Sequence, residues 1–457
     1  MAEATTLQAL SFEHVSSVMR DHNIRKVKLG GFDIDGVLRG KYISLDKFES
    51  AARDGFGFCD VIFGWDCADV LYDNARFTGW HTGYPDTHAR IDLSTYRVLP
   101  WEPDTAFFIA DFVDRDGGPL KISPRQVLQR VVAHARKLGF EATMAAEYEF
   151  FFFRETAQSM RDKNFLDMTP LTPGMFGYSV TRSGANAEFV HDIIDSMSAF
   201  DVPLEGFHTE TGPGVYEAAI RYDNALSAAD KAALFKTMLK VVAARRDCLV
   251  TFMAKWNESL PGCGGHLHQS LRRLDGSPAF HDADAPRGFS KTMRHYIGGQ
   301  LALMPELTAL SAPTINAYKR LVPGMWAPTS ANWGIENRTT TVRAIPGSPS
   351  STRVEYRLPG ADANPYLAMA ASLASGLYGI ENEIDPGEPT VKGYEDHARP
   401  LPRTLDEATD RLERSEAAQA LLGEAFVDHF ARTRRWETRQ FQKAVTDWER
   451  SRYLEII

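Results

Sequence analysis

The feature that most restricts the fold is the stretch 143-TMAAEYEFFFF-153, in which two glutamates precede four consecutive phenylalanines. Successive side chains of a β-strand point to opposite faces, so Glu147 and Glu149 are expected on one face while Tyr148 and Phe150 enter the core. Two like charges on one face repel each other unless a counter-charge lies beside them. The stretch therefore predicts a core strand whose polar face borders positive charge.

Three further segments each bring polar or charged side chains to one strand face or to the two sides of one loop. In 264-GGHLHQSL-271 a period of two gathers three polar residues on one face: His266, His268 and Ser270. In 351-STRVEYRLPG-360 the same period gathers Arg353, Glu355 and Arg357. In 208-HTETGPGVYEAAI-220, Glu210 and Glu217 flank a Gly-Pro-Gly loop.

These segments supply the ligands of a metal site. The candidates are five carboxylates and one imidazole: Glu147, Glu149, Glu210, Glu217, Glu355 and His266. Hard oxygen donors with a single nitrogen suit Mg²⁺ or Mn²⁺ better than Zn²⁺, and two ions are needed to balance so many acids. The expected cavity therefore holds two divalent cations.

An array of arginines between 320 and 357 would bind phosphate or carboxylate groups. Its members are Arg320, Arg338, Arg343, Arg353 and Arg357. Divalent metals and arginines that face one cavity are typical of phosphoryl transfer. No Walker A sequence is present, so a P-loop enzyme is not expected.

Each segment alone also fits a plainer role. Glu147 and Glu149 could be solvated edge residues, the two histidines a hydrogen-bonded strand pair, and residues 353–357 a surface charge ladder. Cross-strand charge pairs of that kind contribute only about 0.2–1 kcal/mol each. The joint occurrence of the segments beside glycine-rich loops favours a functional site.

Composition excludes several other classes of protein. The chain has 457 residues, 44% of them hydrophobic and 24% charged, which is enough for two domains and a sizeable core. A net charge of −9 argues against nucleic acid as the main partner. The four cysteines show no CxxC spacing, and no apolar run reaches about 18 residues. The first 20 residues lack a basic start and an apolar core, so a cytoplasmic protein with no membrane contact is expected.

The local patterns predict an N-terminal β domain over 1–115 and a larger domain over 116–457. A hairpin is expected at 26–44 around Asp35-Gly36, more strand at 91–113, and loop or short elements at 53–90. A helix should begin at Ser123-Pro124 and end at Gly139. Further helices are predicted at 187–200, 226–247, 287–307, 363–378, 404–420 and 434–451. Further strands are predicted at 204–222, 250–256, 264–271, 338–345 and 351–358.

The order of these motifs resembles the glutamine synthetase family of the bacterial type over nearly the whole chain. The segments that carry the resemblance are AEYEF (146–150), HTETGPGVYE (208–217), GCGGHLHQSL (262–271), NAYKRLVPG (316–324), NRTTTVR (337–343) and RVEYRLPGADANPYLA (353–368). The resemblance implies an α+β fold with an N-terminal β-grasp domain and a catalytic domain whose curved antiparallel sheet forms a funnel. It also implies a homo-oligomer, a hexameric ring or a dodecamer, with active sites between subunits. The loop 55–65 would then contribute to the active site of the neighbouring subunit.

The resemblance also implies roles for individual residues. One metal would lie among Glu149, Glu210 and Glu217, another among Glu147, His266 and Glu355, and the whole site would hold two or three Mg²⁺ or Mn²⁺ ions. The ATP-binding residues would be His268, Ser270, Arg343, Arg353 and Tyr222, with Arg338 facing the transferred phosphoryl group. The glutamate-binding residues would be Glu149, Gly264, Gly265, His266, Arg320 and Arg357.

Family chemistry implies two steps. The γ-carboxylate of glutamate attacks the γ-phosphate of ATP, and an amine then displaces phosphate from the γ-glutamyl phosphate. Phosphorylation turns a poor leaving oxygen into a good one.

The sequence departs from glutamine synthetase proper at the residue that follows Met325. Trp326 stands where the family has a glutamate that helps to bind ammonium, and an indole offers an apolar wall and a weak cation-π face instead. An organic amine that buried about 100 Å² against Trp326, Phe63 or Trp65 would gain roughly 2.5 kcal/mol. Because such an amine arrives protonated, a base is needed, and Asp60 is the candidate. Trp326 could instead be a packing residue in a mobile flap, with ammonium as the substrate.

The favoured hypothesis is an ATP-dependent ligase that joins glutamate to a small amine. The alternatives are a true glutamine synthetase, a non-catalytic scaffold or nitrogen sensor, and a kinase or ligase that acts on another carboxylate. The family's adenylylation site is replaced near 392–402, where Tyr394 is displaced, so that form of control is not expected.

Overall fold

A computed structural model of the chain describes residues 11–394 and 398–457. The strands are β1 Lys26–Phe32, β2 Leu38–Ile43, β3 Phe56–Cys59, β4 Asp86–Leu99, β5 Glu102–Val113, β6 Phe140–Phe153, β7 Leu204–Thr209, β8 Val215–Ile220, β9 Asp223–Asn224, β10 Leu249–Thr251, β11 Gly265–Arg273, β12 Ser330–Ala331, β13 Trp333–Ile335, β14 Val342–Ile345, β15 Arg353–Tyr356 and β16 Arg399–Pro400. The α-helices are α1 Phe12–Asp21, α2 Leu45–Asp54, α3 Pro124–Lys137, α4 Ala157–Asp162, α5 Val180–Ala185, α6 Ala187–Ala199, α7 Ala225–Ala244, α8 Lys291–Ser311, α9 Pro365–Glu381, α10 Leu405–Arg414, α11 Glu416–Leu422, α12 Glu424–Lys443 and α13 Asp447–Tyr453. Every described helix is too short or too polar to cross a lipid bilayer.

The first five strands form one mixed sheet in the order β2-β1-β5-β4-β3. β1 and β5 run parallel, and the other neighbours are antiparallel. The β1–β2 hairpin turns at Gly36, whose φ of +79° suits a residue without a Cβ. Phe48 of α2 stacks on Phe108 of β5 with ring centroids 5.0 Å apart, so the helix covers one face of the sheet.

The second sheet runs β13-β14-β15-β11-β6-β8-β7, with β9 and β10 also paired to β6. Its apolar face packs against α3 and α7, and α9 lies behind those two helices. The alternation predicted for β6 is confirmed, because Tyr148 is 2% exposed and Phe150 is 0% exposed while Glu147 and Glu149 are only half-buried. The other face of the sheet is therefore polar. The expected α+β class with a curled catalytic sheet is confirmed.

Ion pairs join the first sheet to helices α3, α7 and α12. Arg125 of α3 contacts Asp92 and Asp111 of the first sheet at 2.7 and 2.8 Å, and Asp230 of α7 at 2.8 Å. Arg434 of α12 contacts Asp35 in the β1–β2 turn at 2.6 Å. These contacts cross the predicted domain boundary at 115, which itself stays a prediction.

Several predicted elements have different bounds. The helix predicted at 434–451 is wrong, because the chain is extended at Ala444 and Thr446 starts α13 with a capping box. The helix predicted at 404–420 is two helices, because Ser415 leaves α10 in an extended conformation and caps α11. The strand predicted at 204–222 is a hairpin of β7 and β8, and the strand predicted at 338–345 begins at Val342.

Helices α1 and α2 were not predicted from the sequence, although each begins after a serine cap, at Ser11 and Ser44. The helix that starts at Pro124 is confirmed, and it ends at Lys137.

Candidate active site

A cavity of about 420 Å³ opens on the polar face of the second sheet. Strand pairing brings the predicted acids to it from several parts of the chain. Glu147 of β6 lies opposite His266 of β11, and Glu149 lies opposite Glu217 of β8. Each of these four side chains lines the cavity, together with Glu210 from the β7–β8 turn.

One group of ligand atoms comes from β6, β11 and β15. Atoms of Glu147, His268 and Glu355 all lie within 4.8 Å of one another. His268 Nε2 is 3.3 Å from Glu147 Oε2, while His266 Nδ1 lies 3.6 Å from both Glu147 Oε1 and Glu355 Oε1. Both histidines therefore border this acid pair, and His268 approaches Glu147 more closely.

A second group comes from the β7–β8 hairpin. Atoms of His208, Glu210 and Glu217 also lie within 4.8 Å of one another. His208 Nε2 is 3.1 Å from Glu217 Oε1, and its Nδ1 is 3.9 Å from Glu210 Oε1. Glu149, which the resemblance places with these two acids, instead accepts a hydrogen bond from the Gly264 amide at 2.5 Å.

The electrostatics of the cavity fit divalent cations. Burial, together with the charges of Glu147 and Glu149, raises the pKa of Glu217, so these acids cannot all ionise easily without a cation. Within the described parts of the chain, the buried Nδ1 atom of His266 has no hydrogen-bond partner although two carboxylates are near it. An unpaired imidazole nitrogen among carboxylate oxygens is a donor set that suits Mg²⁺ or Mn²⁺.

Glu355 has cationic support from two arginines of the protein itself. Although burial opposes its ionisation, Arg357 and His266 lower the pKa of Glu355 to about 2. Arg357 Nη1 contacts Glu355 Oε1, and Arg343 Nη1 lies 3.0 Å from Glu355 Oε2. Glu355 is therefore a carboxylate at neutral pH.

Arg320 and Arg357 are two buried members of the predicted arginine array that line the cavity. Arg320 is 4% exposed and donates from Nη2 to the carbonyl oxygens of Leu358 and Pro359, both at 2.7 Å. Arg357 is 5% exposed and follows β15 directly. Gly264 lines the same cavity, and a Cβ on Gly265 would lie 2.8 Å from the Gly360 carbonyl oxygen. Both guanidinium groups thus face a narrow space bordered by backbone.

Two of the residues predicted to bind ATP, Ser270 and Tyr222, lie toward the other end of the sheet. Ser270 is paired with Thr143 of β6, and Asn224, two residues after Tyr222, pairs with the same Thr143. Ser270 is four residues from His266, which in a strand is about 13 Å. Tyr222 is 60% exposed. These side chains therefore border an open end of the polar face.

The remaining ATP candidates are arginines of β14 and β15. Arg353 donates from Nε to His268 Nδ1 at 3.2 Å. Arg343 contacts Glu336 as well as Glu355, and Glu336 has a φ of +53°. Both arginines thus lie beside the first ligand group.

Aromatic side chains border the mouth of the cavity. Trp326 lines it, is 66% exposed and has a φ of +56°. Tyr178 lines it too, is 66% exposed, has a φ of +53° and stacks on His208 at 4.3 Å between ring centroids. Non-glycine residues with positive φ are strained and are often found at functional sites. Arg338 is exposed on the same wall.

Asp60 lies elsewhere in the single chain. It is 2% exposed, accepts a hydrogen bond from Thr78 Oγ1 at 2.5 Å and lines a separate cavity of about 410 Å³ in the first sheet's domain. Phe63 is wrong as a contact for the amine, because it is 0% exposed and packs against Phe112 with centroids 5.1 Å apart. Trp65 packs against the same core.

Two residues of the cavity region, His208 and Tyr178, were not predicted from the sequence. His208 could have been found, because it begins the same motif as Glu210 and strand pairing places it opposite Glu217. Tyr178 lies in an irregular segment without periodicity, so no local pattern pointed to it.

Comparisons with known proteins agree with this arrangement. Residues 121–453 match the sequence profile of the glutamine synthetase catalytic domain. The chain is 48% identical over 438 residues to type-1 glutamine synthetase 2 of Dictyostelium discoideum, covering 94% of this chain and 84% of the relative. It is 39% identical over 462 residues to a glutamate–isopropylamine ligase of Pseudomonas sp, covering 100% of both chains.

The fold has a close counterpart among solved structures. The structure of GmaS without ligand superposes with a TM-score of 0.84 at 30% identity, and the match covers 96% of this chain and 99% of that one. The profile spans well over half of the chain, and the two relatives extend over nearly all of it. The chain therefore belongs to the glutamine synthetase family of ligases.

Proposed function

We propose that this enzyme joins the γ-carboxylate of glutamate to a small organic amine, with ATP converted to ADP and phosphate. The observation that carries the proposal is the pair of exposed aromatic rings, Trp326 and Tyr178, at the mouth of a cavity lined by acids and arginines. The acids and arginines suit phosphoryl transfer to a carboxylate. The aromatic rings suit an amine with apolar atoms.

Bond making and breaking would proceed in two steps. A γ-carboxylate oxygen of glutamate attacks the γ-phosphorus of ATP, the bond to the bridging oxygen breaks, and ADP leaves. The amine nitrogen then attacks the carbonyl carbon of the γ-glutamyl phosphate, and phosphate departs with the carboxylate oxygen that it acquired. An alkylammonium ion must lose one proton before its attack and a second as the amide forms.

The chain's own residues supply position and charge for both steps. Arg320 and Arg357 would hold the carboxylates of glutamate, and Arg343 and Arg353 would face the phosphates. Arg338, on the exposed wall, would meet the transferred phosphoryl group. Arginine suits these contacts because its donors match planar oxygen pairs.

The two ligand groups would hold Mg²⁺ or Mn²⁺. Glu147, Glu355 and the two histidines of β11 would form one site, and Glu149, Glu210 and Glu217, with His208 beside them, would form the other. Bound divalent ions supply charge neutralisation and orientation for the phosphates.

The amine would lie against the aromatic rings. Trp326, Tyr178, Met325 and Val215 give this part of the cavity an apolar wall that ammonium would not use. The relative that is a glutamate–isopropylamine ligase supports a branched alkylamine as the kind of substrate to test first.

A true glutamine synthetase is the second candidate. It is favoured by the 48% identity with type-1 glutamine synthetase 2. In that case Trp326 would only pack in the flap, and ammonium would be the amine.

The base that accepts the amine's proton would come from a second subunit. Asp60 does not line the cavity of its own chain, and the family resemblance implies active sites between subunits in a hexameric ring or dodecamer. Its buried carboxylate has a pKa raised by burial, in the direction that suits a base.

The proposal is tested by phosphate release from ATP and glutamate with isopropylamine, ethanolamine, benzylamine and ammonium at equal concentrations. An alkylamine should give the highest kcat/KM. If ammonium surpasses every organic amine, the enzyme is a glutamine synthetase. If no amine stimulates glutamate-dependent phosphate release, both candidates fail.

A further inference from the structure

Arg320 is held by the loop that carries its neighbour in the cavity. The carbonyl oxygens that it contacts belong to Leu358 and Pro359, which follow Arg357 directly. The position of the Arg320 guanidinium therefore depends on how residues 357–364 are placed relative to residues 313–320.

A second link between these two segments runs through Asp362. Asp362 Oδ2 accepts a hydrogen bond from Thr314 Oγ1 at 2.7 Å. Thr314 Oγ1 in turn accepts a hydrogen bond from the Ala317 amide at 3.0 Å, at the start of the short helical turn Ala317–Lys319 that precedes Arg320. A carboxylate behind the cavity is thus connected by two hydrogen bonds to the turn that presents Arg320.

The carboxylate also lies among cationic groups. Lys236 of α7 donates from Nζ to the carbonyl oxygen of Ala363 at 2.8 Å, next to Asp362 in the chain. Burial raises the pKa of Asp362, while the Thr314 hydroxyl and the charges of Lys236 and Arg320 act in the opposite direction. In the described parts of the chain, the other oxygen of Asp362 is buried without a hydrogen-bond partner. Its interaction with Arg320 is therefore electrostatic and acts across the loop.

We propose that Asp362 is a positioning residue for Arg320, holding the guanidinium in the orientation that binds a carboxylate of the amino-acid substrate. The proposal rests on the proposed function, because that function supplies the anionic substrate. Asp362 does not line the cavity, so it acts through Arg320 and the Thr314 turn and does not touch the substrate.

The experiment compares steady-state kinetics of the full-length protein and four variants, with glutamate and ATP varied in turn. Asp362→Asn keeps an oxygen acceptor for Thr314 but removes the charge. Thr314→Val removes the hydroxyl, and Thr314→Ser restores it. Asp284→Asn changes an exposed aspartate on another loop and serves as the matched control.

We expect Asp362→Asn and Thr314→Val to raise the KM for glutamate about tenfold or more, with the KM for ATP within about twofold of wild type. Thr314→Ser and Asp284→Asn should behave like wild type. A purely structural role would instead change the two KM values and the melting temperature together.

Two results would overturn the proposal. The first is a KM for glutamate that is unchanged in Asp362→Asn. If Asp362→Asn does not fold, the same result in Thr314→Val would overturn the proposal. The second is an equal loss of apparent affinity for glutamate and ATP, since that indicates general damage. If the wild-type protein shows no glutamate-dependent phosphate release, the proposed function itself is overturned, and the substrate role of Asp362 with it. The wild-type measurement therefore separates a failure of the proposed function from a failure of the role proposed for Asp362.

Discussion

At a single residue, Trp326, we expect the cavity to select its amine. Trp326 places a neutral ring at a cavity whose other side is lined by glutamates, and its positive φ is a strained conformation of the kind often found at functional sites. A carboxylate at the same position would attract a small cation and offer no apolar contact. The amine preference should therefore follow the side chain at 326.

We expect Trp326→Glu to lower kcat/KM for an apolar alkylamine about tenfold and to raise kcat/KM for ammonium, because lost contact area is replaced by negative charge. The measurement is phosphate release with each amine. Trp448→Glu, which changes a similarly exposed tryptophan outside the cavity, is the matched control. Equal changes for both amines would show that residue 326 does not select the substrate.

His429 of α12 makes stability depend on pH. Its side chain is 3% exposed, and in the described part of the structure neither ring nitrogen has a hydrogen-bond partner. Burial lowers the pKa of His429 from 6.5 to about 4. Below pH 6.5 the unfolded chain therefore binds a proton that the folded protein does not, and folding stability falls between pH 6.5 and pH 4.

The His429→Phe variant should lose less stability than wild type over that window. The difference in the free energy of unfolding should reach about 3 kcal/mol at pH 4 and disappear above pH 7, apart from a constant offset. Urea unfolding at a series of pH values provides the measurement. Parallel pH profiles for the two proteins would contradict this assignment.

At the scale of elements, α8 and α9 cross at unusually close range. A Cβ on Gly299 of α8 would lie 2.1 Å from the carbonyl oxygen of Ser375 and 2.5 Å from the Cα of Gly379, both in α9. Backbone atoms cannot move aside as a flexible side chain can. The helix pair therefore requires glycine at 299, although alanine has the higher helix propensity.

Gly299→Ala should lower the free energy of unfolding by about 1–3 kcal/mol or more, since the added methyl group forces the helices apart. Gly184→Ala is the matched control, because that helical glycine has no atom within 4 Å of the added Cβ. The control should be neutral or slightly stabilising. Equal stabilities of the two variants in thermal or urea unfolding would contradict the close packing.

Some features of the strands and helices could be predicted from the sequence, and others could not. The polar and apolar faces of β6 and β11 were predictable, because a period of two fixes which side chains share a face. The same rule could not decide whether His266 or His268 approaches Glu147, since both lie on that face. The helix breaks at Ser415 and at 444–446 could not be predicted from the amphipathic patterns, because these patterns continue on both sides of each break. The burial of Phe63 could not be predicted either, because it depends on contacts with distant parts of the chain.

At the scale of the whole molecule, Arg125 connects the two sheets. Its side chain is 4% exposed, and its guanidinium contacts Asp92 and Asp111 of the first sheet and Asp230 of α7, the helix that packs on the second sheet. Arg125→Met would leave Asp92, Asp111 and Asp230 without this partner, and we expect a loss of about 3–5 kcal/mol in urea unfolding. Arg136→Met removes an exposed pair with Glu141 and should change stability by less than about 1 kcal/mol. Similar effects in both variants would mean that Arg125 does not join the sheets.

We propose that glutamate is activated by phosphorylation of its γ-carboxylate before the amine attacks. The most direct test follows ¹⁸O from glutamate labelled in that carboxylate, using ATP, Mg²⁺ and the preferred alkylamine, with both products analysed by mass spectrometry. We expect each released phosphate to carry one ¹⁸O from glutamate and the γ-glutamyl amide to keep the other. Phosphate without label, released in amounts equal to the amide, would contradict it.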